Sequence, residues 1–87
     1  MTFRLELSGG PERAVLRVEG RLRGPEAADV VREQVAIARR MSAYVVLDLA
    51  GVDSCDDVVL GAIEDAVGEG VALHGGGPYF AALLRRW

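Results

Sequence analysis

Phe3, Leu5 and Leu7 alternate with Arg4 and Glu6, the two-residue period of a strand that buries one face. Ser8-Gly9-Gly10-Pro11 turns the chain. Alternation resumes over residues 14–22, with Leu16, Val18 and Leu22 on one side and Arg17, Glu19 and Arg21 on the other. Two strands joined by a short Gly-Pro loop predict an antiparallel hairpin. The period changes at Gly24-Pro25-Glu26, where a proline at the first helical position and an acid in the first turn mark a helix start. Val31, Val35 and Ala38 follow at helical spacing, flanked by Ala27 and Met41, with Glu26, Asp29, Glu33 and Arg40 opposite. Arg39 and Arg40 suit the negative end of the helix dipole.

Residues 44–49, YVVLDL, form a nearly continuous apolar run rich in β-branched side chains, which predicts a central strand covered on both faces. A loop with Asp53, Cys55, Asp56 and Asp57 comes next. Val59, Ile63, Ala66 and Val67 outline a second helix that Gly68-Glu69-Gly70 ends. Residues 71–73 suit a short strand, and after Gly75-Gly76-Gly77, Pro78 opens a last helix with Phe80, Leu84 and Trp87 on one side. The order is β-β-α-β-α-β-α, without repeats. A strand, helix, strand unit joins parallel strands with right-handed sense, so the fold class is α/β: one domain over residues 1–87, a small mixed sheet covered by helices. In such sheets, partners meet the loops at the carboxyl ends of the parallel strands, which points to residues 50–60.

Composition narrows the chemistry. The chain has 87 residues, 51% hydrophobic and 26% charged, enough for one small core. All ten basic residues are arginine, so a phosphate loop ending in Gly-Lys-Ser/Thr and a Schiff-base lysine are excluded. A single cysteine and a single histidine exclude an intrachain disulfide and a four-ligand Cys/His zinc site. The net charge of -3 argues against nucleic acid as a partner. The amino terminus is charged and alternating, unlike a signal peptide or a membrane span, so the chain is expected in the cytoplasm, with no membrane insertion.

Residues 53–69 hold Asp53, Asp56, Asp57, Glu64, Asp65 and Glu69 and no basic residue. The simplest reading makes Asp56 or Asp57 the cap of the second helix and the rest solvated surface. A Mg²⁺ site would need a further acid from another strand, and no metal or cofactor is expected. His74 with Ser54 or Cys55 would be a base and nucleophile only if the fold joined them. Neighbouring carboxylates disfavour the Cys55 thiolate, so this thiol is expected to be unreactive. Val58 and Val59 either form a contact surface or pack inward.

Gly20-Arg21-Leu22 at the end of the second strand, Asp48-Leu49-Ala50-Gly51-Val52, Asp56 and Leu60-Gly61 resemble the STAS domain, the fold of bacterial anti-sigma factor antagonists. The likeness covers nearly the whole chain. It implies a non-enzymatic regulator of transcription that binds a protein partner, an anti-sigma factor or serine-kinase-like protein. It places the partner-binding loop over Asp53, Ser54, Cys55, Asp56, Asp57, Val58, Val59, Leu60 and Gly61. The family pattern continues Asp-Ser-Ser/Thr-Gly; here Asp57 stands at the phosphorylated serine, Val58 and Val59 follow, and Arg23 replaces a family aspartate. The resemblance therefore implies a degenerate phosphosite at Asp57, offering the kinase no hydroxyl. Two other roles stay open: a structural subunit of a transport or larger regulatory assembly, and a Mg²⁺-dependent phosphoacceptor.

Overall fold

The alternating amino-terminal segments form the expected hairpin in the computed structural model, which describes residues 2–78 and residue 80. Its strands are β1 (Phe3–Gly9) and β2 (Arg13–Leu22), followed by α1 (Gly24–Met41), β3 (Tyr44–Cys55), α2 (Asp57–Gly68) and β4 (Ala72–His74). The sheet order is β1-β2-β3-β4, so each strand lies beside its predecessor in the chain. β1 is antiparallel to β2, and the β2–β3 and β3–β4 pairs are parallel, as the two helical crossovers require. Residues 81–87, with Leu84 and Trp87 of the expected last helix, lie outside the described residues.

Leu16, Val18 and Leu22 of β2 and Leu47 and Leu49 of β3 face Val31, Val35 and Ala38 of α1 and Val59, Ala62, Ile63 and Ala66 of α2 in one buried cluster. Both helices thus share one face of the sheet. Val45, Val46 and Leu47 are all buried, so β3 is covered on both faces as its apolar run predicts, with α1 and α2 on one of them. Val46 is buried but lies outside that cluster, Asp48 shares its face by alternation, and Tyr44 is 49% exposed. Arg4 pairs there with Glu6 and Glu19 at 3.5 and 3.4 Å, and Arg17 with Asp48 at 3.8 Å. Met41 is 57% exposed, because α1 reaches its carboxyl end as the chain leaves the core.

β3 runs through Cys55 instead of ending near Leu49, so Asp53 and Cys55 are strand residues and not loop residues. Two register shifts against β2, between Arg17 and Glu19 and between Gly20 and Arg21, show where β3 carries an extra residue. The bulges break the inward–outward alternation. That is why the strand's second half does not read as a strand. Asp48 steadies the first bulge, its Oδ1 accepting from the N–H of Ala50 at 3.0 Å. Asp65 of α2 and Glu69 just after it are exposed, as expected of surface acids, and pair across the α1–α2 groove with Arg32 and, at 3.4 Å, with Arg39.

Candidate functional site

Asp56 sits between β3 and α2 in extended conformation, as the α2 N-cap. Its Oδ1 accepts from the Val59 N–H at 3.1 Å, the capping bond expected of an aspartate before a helix. Its Oδ2 accepts from the N–H of Gly24 at 2.7 Å, the first residue of α1. One carboxylate therefore holds two helix starts. The N-cap residue of α1 is Arg23, which forms no side-chain cap, so the orphan N–H of Gly24 turns to Asp56. The backbone completes the joint: the Asp56 N–H donates to the Leu22 carbonyl at 3.2 Å, and the Leu60 N–H donates to the Asp56 carbonyl at 2.9 Å.

These bonds hold the Asp56 carboxyl below its ordinary value of 3.8, first through the Gly24 N–H and then through Val59, with the Arg23 charge and the Val58 N–H acting the same way against partial burial. Cys55 moves in the opposite direction. Burial, followed by the charges of Asp56 and Asp57, pushes its thiol above its usual range, so it stays protonated near neutral pH as expected.

The next two residues face outward. Asp57 opens α2 with its side chain exposed, and Val58 is 47% exposed while Val59 is fully buried. The two valines therefore take separate roles, one on the surface and one in the core. Leu60 and Gly61 are half-buried on the same turn. Asp53 is exposed on the last stretch of β3, and Ser54 is half-buried opposite Arg21. Val52, Asp53, Ser54 and Cys55 form a recess of about 270 Å³ with Gly76 and Phe80. A Cβ at Gly76, whose φ is +82°, would come 2.3 Å from Phe80, so the glycine lets that aromatic close the recess.

Other candidate chemistry is not assembled. His74 pairs in register with Asp48, and β3 needs on the order of 20 Å to run from there to Ser54 and Cys55. Among the described residues, no group of three or more His, Cys, Asp or Glu side chains is placed to hold a metal ion. No described helix is long and apolar enough to cross a membrane. The sequence alone left the cap open between Asp56 and Asp57, and gave no sign of Gly24 and Arg23, at the start of α1, as neighbours of Asp56.

No family model and no curated protein matches the chain. Solved structures do. The anti-sigma factor antagonist SpoIIAA in its unphosphorylated form superposes with a TM-score of 0.70 at 19% identity, over 95% of this chain and 81% of that one. An anti-sigma factor antagonist from Mycobacterium paratuberculosis gives 0.71 at 16% identity, over 97% and 78%. The STAS domain of an anti-sigma factor antagonist from Rhodobacter sphaeroides gives 0.57 at 23% identity, over 87% of both chains. The chain has a STAS-like fold.

Proposed function

We propose that the chain is a non-enzymatic interaction module of the anti-sigma factor antagonist type, acting on an anti-sigma factor or serine-kinase-like partner in the bacterial cytoplasm. The observation that carries this reading is the first turn of α2. Asp57 and Val58 stand exposed there, directly after a residue that ties the turn to α1 and β2. A charge beside an apolar side chain on a rigidly held turn suits a protein surface, because little ordering remains to be done on binding.

Asp57 sets the mode of regulation. A phosphoserine brings about -1.5 to -2 charges and three acceptor oxygens, whereas an aspartate brings one charge on a shorter arm. A single negative charge at a helix start is ordinary and favourable, and a partner that pairs with this chain need not be repelled by it. With no hydroxyl at position 57, the kinase arm of a partner switch has no target, and binding is constitutive. Pull-downs against the anti-sigma proteins of the same organism, using wild type and Asp57→Ser, test this. Both forms are expected to be captured, and only the Ser form released by a partner kinase with ATP. Capture of the Ser form alone would show that Asp57 imitates the phosphorylated, non-binding state. Capture of neither would favour a subunit role in a transport or larger assembly.

A further inference from the structure

We propose that the free edge of β1 pairs antiparallel with β1 of a second copy, centred on Leu5, so that two four-stranded sheets join into one. Among the described residues β1 pairs only with β2 and leaves its other edge open. The hydrogen-bond parity of that edge is fixed. Thr2 lies opposite Arg21 and accepts its N–H at 2.9 Å, and Gly10 lies opposite Arg13 and donates to its carbonyl at 2.9 Å. Bonded pairs recur at every second residue of an antiparallel ladder, so Arg4, Glu6 and Ser8 point their peptide groups at β2. Phe3, Leu5 and Leu7 therefore point theirs outward, at an edge that no strand among the described residues occupies.

The side chains select the partner. Centred on Leu5, a second β1 sets Leu5 against Leu5 and Phe3 against Leu7 as bonded pairs, on the core side where all three are only partly buried. On the other side it sets Arg4 against Glu6 and Glu6 against Arg4, in the non-bonded positions where side chains approach most closely. A shift of two residues either way puts Arg4 on Arg4 or Glu6 on Glu6. Like charges directly opposite are unfavourable, so the charge pattern both picks this register and makes the strand complementary to itself. Any unrelated strand would have to match that pattern by chance.

Sedimentation of the full chain at rising concentration and low salt should show a mass climbing toward that of two chains. Amide exchange of Leu5 and Leu7 should slow over the same range, while Arg4 and Glu6 are already protected by β2. Arg4→Glu or Glu6→Arg alone converts two symmetric opposite-charge pairs to like-charge pairs, weakening self-association on the order of tenfold or more. An equimolar mixture of the two variants should associate again, because the neighbours within each chain are unchanged by mixing and only the pair between chains is restored. A monomer at every concentration would overturn the proposal, as would self-association unaffected by the single charge reversals or variants that do not recover on mixing.

Discussion

A carboxylate that accepts from the Gly24 and Val59 N–H groups is more stabilising ionised than protonated, since the protonated form loses acceptor strength toward both. Asp56 titrates below 3.8 in the folded chain, so its contribution is fully present above that value and is lost as the pH falls through the lower folded-state value. Asp56→Asn is accordingly expected to lower the unfolding midpoint at neutral pH by several degrees, with the gap to wild type closing below about pH 4. Urea or thermal unfolding across that range measures it; a gap that stays constant would remove the two-helix joint as the cause. Half of this joint is legible in the sequence, because an aspartate before an apolar helical run is a cap signal. The Gly24 half is not. It depends on two elements thirty-two residues apart meeting at their starts.

At the scale of the element, the first turn of α2 divides its neighbours by their direction. Val59 is fully buried against the sheet and Val58 is 47% exposed. Val59→Ala should therefore cost about 2 kcal/mol of stability, from lost apolar burial and the cavity left behind, whereas Val58→Ala should fall within about 0.5 kcal/mol of wild type. Denaturant unfolding of the two variants checks the first pair of values. If the proposed function holds, partner capture should show the opposite ranking. The helical period sets Val59 on the apolar stripe, at i, i+4 and i+7 with Ile63 and Ala66, but gives no direction for Val58 one residue earlier. The same limit applies to β3, where bulges after Asp48 break the two-residue period and make Asp53 and Cys55 look like loop residues. Met41 erred the other way: spacing placed it with the apolar stripe, but the core ends before it.

Over the whole molecule, the element order through β4, the hairpin and the parallel crossovers were all readable from period and punctuation. Which faces the helices cover was not. An apolar run such as residues 44–49 tells that both faces of β3 are buried but not that α1 and α2 lie on the same one. The sheet order has a kinetic consequence. Because β1, β2, β3 and β4 stand side by side in the order of synthesis, the sheet can be built by adding each strand to an edge already formed. Its hairpin closes over a short loop, while β2–β3 pairing must wait for α1 to be bridged, and early local contacts set the pace. In pulsed-exchange refolding, protection is therefore expected in β1–β2 amides before β3–β4 amides. Simultaneous protection of both pairs would show that the sheet condenses in one step. Under sequential growth, the outer edge of β1 is the earliest finished surface of the protein, exposed while the remaining strands are still being added.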